Sequence, residues 1–135
     1  MKDCIFCKIV AGQIPCYKIY EDEYTLAFLD IAQDAVGHTL VIPKECYTNV
    51  FDCDEKTLAK VLNTVKRVSS HYVGGCGYTG VNIINANGKS AQQSVFHLHF
   101  HIIPRKEDDK IDMWPLKDKK EMNLASICEK LKIKQ

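Results

Sequence analysis

The chain has almost no net charge, since 18 Lys and Arg against 17 Asp and Glu leave a formal +1. It carries no bulk field that would draw DNA, RNA or an anionic membrane, so any phosphate must be held by a specific site. Long apolar runs are also missing. Stretches such as Leu40-Val41-Ile42 and Val81-Asn82-Ile83-Ile84 fall far short of the roughly 18 residues that cross a bilayer. The start, Met1-Lys2-Asp3-Cys4-Ile5-Phe6-Cys7-Lys8, puts an acid third and a Lys inside its apolar patch, which does not suit a secretory signal. A soluble, cytoplasmic protein with no nucleic-acid or membrane partner is expected. Proline is scarce, and no repeat, Ser/Gly linker or long charge block occurs except Lys106-Glu107-Asp108-Asp109-Lys110 after Pro104. At 135 residues the expectation is one domain.

Cysteine, by contrast, is plentiful. Cys4, Cys7, Cys16, Cys46, Cys53, Cys76 and Cys128 make seven, an odd number, and in a reducing compartment they point to metal ligands and buried thiols rather than a disulfide framework.

Leu58, Val61, Leu62, Val65, Val68 and Tyr72 recur at helical spacing between a candidate capping box, Asp52 with Glu55, and the stop signal Gly74-Gly75. The periodicity predicts one long amphipathic helix from about Asp54 to Val73. Strand-like runs lie at Tyr17 to Tyr20, Thr25 to Leu29, His38 to Ile42, Gly80 to Asn85 and Val95 to Ile103. Short connections with a single long helix favour an antiparallel sheet with helices on one side, because parallel neighbours would each need a helical crossover. The fold class is therefore α+β, and a second helix is expected within Asp118 to Lys132.

The run Val95-Phe96-His97-Leu98-His99-Phe100-His101-Ile102-Ile103 alternates strictly. A strand's two-residue period puts His97, His99 and His101 on one face and the apolar residues on the other. A lone histidine is most often a hydrogen-bonded filler, but three of the chain's five in one apolar strand point to chemistry. Neutral imidazoles could share a metal, or one could be a nucleophile while its neighbours bind an anion and handle protons. Same-face neighbours lie nearly 7 Å apart at about 3.3 Å rise per residue, too far for one ion to take all three unaided. A nucleophile with supporters fits more easily.

The run resembles the His-x-His-x-His signature of the histidine triad (HIT) superfamily, in its Hint-like nucleotide-binding branch. Ile5-Phe6-Cys7-Lys8-Ile9, Phe28-Leu29-Asp30-Ile31, Gly37-His38-Thr39-Leu40-Val41-Ile42-Pro43-Lys44 and Gln93-Ser94-Val95-Phe96-His97 occur in the family's order, so the resemblance covers about residues 4 to 105. It implies a HIT domain over 1–105 with a short N-terminal helix, and an extension, 106–135, that packs on the same domain or on a partner subunit. It implies a homodimer in which each subunit contributes about five antiparallel strands to a continuous sheet. It also implies hydrolysis or transfer at the α-phosphate of purine nucleoside phosphoramidates or related conjugates. By matching position, His99 would attack phosphorus to give a nucleotidyl-histidine intermediate, with His97, His101 and His38 completing the catalytic set. His101 and Ser94 would contact phosphate oxygens, while Gln93 and backbone amides of the Asn87-to-Ser94 loop would neutralise developing charge. Asp30 would bind the ribose hydroxyls, and Phe6, Ile9, Phe28 and Ile31 would line the base cleft. The chain departs from the pattern at Gln92, where many relatives have Gly, and at Ala86, where some have a polar residue. Trp114-Pro115 matches a region that in relatives reaches toward the other subunit's site. His71 reads as a surface or helix-end residue.

Cys4 and Cys7 form a Cys-x2-Cys pair that can point two thiolates at one tetrahedral ion. Free thiols are the plain alternative, and the redox reading lacks a thioredoxin-like context. The resemblance to bacterial-type zinc-containing relatives implies a structural Zn²⁺ site of Cys4, Cys7, Cys46 and His97, in which Cys46 stands where a His is usual. Cys16 and Cys53 are the rival ligands. Two other functions stay open: a non-catalytic nucleotide-binding module that recruits partners, and a dinucleoside polyphosphate hydrolase. A nucleic-acid end-processing role would need a basic extension that this charge balance lacks.

Overall fold

A computed structural model describes residues 3–114 and 122–134. Helix α1 (Ile5–Val10) leads into strands β1 (Lys18–Glu21), β2 (Thr25–Leu29) and β3 (Thr39–Pro43). Helix α2 (Glu55–Gly75), β4 (Gly80–Ile84), a 3-10 turn (Lys89–Ala91), β5 (Phe100–Arg105) and α3 (Leu124–Leu131) follow. The five strands form one antiparallel sheet in the order β1-β2-β3-β5-β4, so the α+β expectation holds. Within Asp118 to Lys132 the expected helix is present as α3, and residues 115–121, with Pro115, lie outside the described residues.

Both faces of the central strands are covered, since β3 reads as an unbroken buried run from Thr39 to Pro43. On one face Ala27, Val41, Leu98, Phe100 and Ile102 pack against Val61, Val65, Val68 and Tyr72 of α2. On the other, Leu26, Phe28, Leu40 and Ile42 pack against Phe6 of α1. The two-residue strand period sorts them, because even-numbered residues of β2 and β3 face α1 and odd-numbered ones face α2. The helices thus lie on opposite faces, which corrects the one-sided layer inferred from the connections. Six residues are too few for α1 to show a helical period of its own in the sequence.

Helix α2 is tied to the sheet by two buried hydroxyl pairs, Thr25 Oγ1 with Thr64 Oγ1 at 2.7 Å and Thr39 Oγ1 with Tyr72 Oη at 2.6 Å. Its N-cap is Asp54, which accepts from the Thr57 amide at 3.3 Å. The predicted box on Asp52 is not formed. Asp52 instead accepts from the Thr48 and Asn49 amides, both at 3.0 Å, closing the turn before the helix.

Candidate functional site

The histidine run is only partly a strand. Regular pairing begins at Phe100, and the chain approaches it through bends at residues 95–97 and an irregular stretch at 98–99. Side-chain alternation nevertheless survives, for Leu98, Phe100 and Ile102 enter the α2 core while the histidines turn to the α1 face. The Phe6 ring meets His97 and His99 edge-on, at centroid distances of 5.8 and 5.2 Å. His99 and His101 stand 4.9 Å apart. Phe96, predicted with the apolar residues, is exposed.

Hydrogen bonds assign the ring protons, since a carbonyl can only accept. His99 Nδ1 donates to the His97 carbonyl at 2.8 Å, which leaves the lone pair on Nε2. His97 Nε2 donates to the Pro43 carbonyl at 2.8 Å, which leaves its lone pair on Nδ1. That atom lies 3.2 Å from Cys4 Sγ and 3.4 Å from Cys7 Sγ. The first triad histidine is therefore turned into the thiol cluster while the second keeps a nucleophilic nitrogen free.

His38 Nε2 meets His101 Nδ1 at 2.9 Å. On its far side the buried His38 Nδ1 makes no hydrogen bond, with Asp30 Oδ2 at 3.7 Å. Asp30, His38 and His101 also offer ligand atoms within 4.8 Å of one another. Two imidazole nitrogens that share a proton do not both present lone pairs to an ion, so this group suits proton handling better than metal binding. Gly37 places His38 at the site. Its φ is +91°, and an added Cβ would come within 2.9 Å of Pro104 Cγ, so only glycine fits there.

Burial lowers the pKa of His99, and also that of His101, where the neighbouring His99 and His38 add to the effect and bring it to about 4. Both rings are neutral at pH 7. The folded chain binds fewer protons than the unfolded chain between these depressed values and about 6.5, so stability rises with pH across that window. The contribution is complete above pH 6.5 and is lost as pH falls through 4. Urea midpoints measured from pH 7 to 4.5 are expected to decrease steadily, and a flat profile would contradict the placement of the rings.

The loop after β4 is braced from within. Asn85 Nδ2 donates to the His99 carbonyl at 3.0 Å, and Asn87 Oδ1 accepts from the Val50 amide at 2.9 Å. Gln93 is buried. Its Oε1 accepts from the Gly88 amide at 2.9 Å, and its Nε2 donates to the carbonyls of Thr48 (2.7 Å) and Val95 (3.0 Å). These bonds tie the Gln93 amide to Gly88, Thr48 and Val95 and hold the loop in shape. Ser94 is exposed. Gln92 adopts φ 67° and ψ 28°, a left-handed conformation that costs a non-glycine residue about 1–2 kcal/mol.

Phe6, Ile9, Phe28, Asp30 and Ile31 line one cavity of about 150 Å³, together with Ile5, Ile14, Pro15, Cys16, Leu29 and Leu40. The four residues predicted for a base cleft thus come together with the predicted ribose ligand. Cys16 lines this cavity, and Cys53 packs beside the α2 core, so neither rival joins Cys4 and Cys7. Cys46 does. Ligand atoms of Cys4, Cys7, Cys46 and His97 lie within 4.8 Å of one another. Tetrahedral zinc at about 2.3 Å from sulfur and 2.05 Å from nitrogen separates such atoms by about 3.6 Å, close to the distances found. Burial raises these thiols. At Cys4 hydrogen bonds with Cys7 and Cys46 outweigh that effect and lower its pKa, whereas Cys7 is pushed up to about 12 and Cys46 is also raised. A dication would let all three ionise.

Sequence reasoning missed Asn85, the Pro43 carbonyl and a second cavity beside His38 and His101. The first two act through backbone partners, which leave no residue-type signal. Among the described residues no helix is long and apolar enough to cross a membrane.

Residues 11–108 match the HIT domain family. An uncharacterized HIT-like protein of Borreliella burgdorferi is 49% identical over 111 residues, covering 81% of this chain and 80% of the relative. An adenosine 5′-monophosphoramidase of Schizosaccharomyces pombe is 44% identical over 106 residues, covering 78% and 77%. A Zn-bound histidine triad family protein of Mycobacterium smegmatis superposes with a TM-score of 0.79 at 39% identity, covering 87% of this chain and 85% of that one.

Proposed function

The chain belongs to the HIT family, and from that premise we propose that it is a nucleotide hydrolase or transferase that cleaves purine nucleoside phosphoramidates at the α-phosphate through His99. The observation that carries the proposal is the His99 Nδ1 bond to the His97 carbonyl, which leaves the Nε2 lone pair beside His101. The phosphoramidase activity named for the S. pombe relative supports the same substrate class.

Asp30, an ionised acceptor, takes the ribose hydroxyls, and the purine enters the cavity of Phe6, Ile9, Phe28 and Ile31. Ser94, His101 and amides of the Asn87-to-Ser94 loop hold the phosphate oxygens. Gln93 and Asn87 hold that loop in shape. The bound anion draws one proton onto the His38–His101 pair. The Nε2 lone pair then forms a bond to phosphorus. The P–N bond breaks with its electron pair on the departing amine, which takes the proton from the pair. In the second half water attacks phosphorus, its proton restores the pair, and His99 leaves with its lone pair.

Cys4, Cys7, Cys46 and His97 would hold Zn²⁺. Four protein ligands close the coordination sphere, so the ion's role is to fasten α1 to the sheet. A homodimer with a continuous sheet fits β4 at the sheet edge with Ile83 exposed. The division into a domain over 1–105 and an extension over 106–135, and a cytoplasmic location, complete the proposal.

Adenosine 5′-phosphoramidate incubated with the protein is expected to yield AMP. A quench into alkaline detergent, which spares a P–N bond, is expected to trap one adenylyl group per chain. Diadenosine polyphosphate is expected to turn over more slowly. Absence of both turnover and adduct would leave only a nucleotide-binding module, and faster polyphosphate cleavage would reassign the substrate.

A further inference from the structure

A second cavity, of about 230 Å³, lies beside the histidines. Asp34, Ala35, Ile84, Ile103, Ile111 and Met113 bound it, with His38 and His101 as its inner wall. It shares no lining residue with the cavity of Phe6 and Phe28, and the Asp30–His38 contact at 3.7 Å stands between them.

Building on the hydrolase reading, we propose that this cavity is the subsite for the departing group, and that it selects amines with a short aliphatic body ending in a positive charge.

With the nucleoside on Asp30's side and the phosphate held at His99 and His101, the substituent leaving phosphorus needs room next to the histidine pair that protonates it. This cavity supplies that room. Its volume of about 230 Å³ accommodates a short aliphatic chain.

Its walls are built rather than loose. On the tail side Arg105 of β5 donates from Nε to Asp109 Oδ2 at 2.7 Å and from Nη2 to the Ile111 carbonyl. The Ile111 amide in turn donates to Asp109 Oδ1 at 3.0 Å. This clamp fixes Ile111 and the approach to Met113 against the strand. On the opposite side Gln33 Nε2 donates to the His38 carbonyl at 2.8 Å and Gln33 Oε1 accepts from the Gly37 amide at 2.8 Å, bracing the loop that carries Asp34 and Ala35.

Charge sets the selectivity. Among the described residues no Lys or Arg lines the cavity, and none forms an ion pair with the Asp34 carboxylate. A departing polyphosphate would meet this carboxylate and apolar walls, whereas an alkylammonium satisfies both. Cleavage itself proceeds with the balance given above: the P–N electron pair and one proton from the His38–His101 pair go to the amine nitrogen, and the far end of the chain takes no part in bond making.

The test compares four adenosine 5′-phosphoramidates: the unsubstituted compound, and those made on one nitrogen of n-butylamine, 1,4-diaminobutane and 4-aminobutyrate. The diaminobutane conjugate is expected to exceed the aminobutyrate conjugate in kcat/KM by about tenfold. Asp34→Asn is expected to bring that ratio within about threefold, and Asp34→Lys to invert it. Asp34 is exposed, so these variants do not threaten folding. Turnover of the unsubstituted compound with no dependence on the terminal charge, or a dependence that survives both Asp34 variants, would overturn the subsite while leaving the hydrolase reading standing. Failure of all four compounds, the unsubstituted one included, would overturn the hydrolase reading and this subsite with it.

Discussion

Replacing His99 with Asn is expected to lower phosphoramidate turnover by roughly 10⁴-fold or more and to abolish the trapped adenylyl adduct. The size of the effect follows from the ring's position. His99 is 5% exposed, and its Nδ1 is committed to the His97 carbonyl, so Nε2 is the atom left to attack. An Asn side chain carries an N–H at about the place of Nδ1 and keeps the donation to His97, but it has no lone-pair nitrogen where Nε2 stood. The variant should therefore fold with near-normal thermal stability, which a change to Ala would not ensure, because Ala would leave a hole against the Phe6 ring. Steady-state kinetics, the alkaline trap and a melting curve on the same sample separate the outcomes. Activity within tenfold of the parent, or a persisting adduct, would show that another group attacks phosphorus.

Removing zinc is expected to lower the melting temperature by about 10–20 °C. Structural zinc contributes binding free energy directly to folding, and at this chain length each 1 kcal/mol moves the midpoint by about 3–5 °C. The ion would link Cys4 and Cys7 at the entry to α1 with Cys46 after β3 and His97 before β5. Its loss therefore frees α1, including Phe6, whose ring packs edge-on against His99, and activity should fall about tenfold along with stability. Metal analysis of the purified protein is expected to give one zinc per chain, and Cys46→Ser to lose it. Cys16→Ser, on the wall of the nucleoside cavity, is expected to keep it. A metal-free protein with the same melting temperature, or zinc retained by Cys46→Ser and lost by Cys16→Ser, would reject the assignment.

The faces of the long helix and of the histidine run were legible because alternation at two residues and recurrence near 3.6 are written into side-chain type. Leu98, Phe100 and Ile102 took the face opposite the histidines as predicted, and Val61, Val65 and Val68 of α2 pack against that face. Element ends were less legible. Asp52 and Asp54 are both good caps by type, and which of them caps depended on where the turn at Thr48 and Asn49 drew its hydrogen bonds. Gln93 is instructive in another way. Its residue type does not say where a buried amide finds its partners, and the positions of Gly88, Thr48 and Val95 supply them.

The amino-acid order alone determined that three imidazoles share one side of the chain and that Cys4 and Cys7 can converge on one ion, because both depend on spacing within a few residues. Tertiary structure decided which partner each imidazole took. The carbonyls of His97 and Pro43 assigned the ring protons, the approach of Cys4 and Cys7 claimed His97, and the closure of Ile111 and Met113 over His101 made a cavity from segments far apart in the chain. Backbone carbonyls look alike in every residue and long-range neighbours have no fixed spacing, so hydrogen bonds and packing across the fold, rather than local pattern, made those assignments.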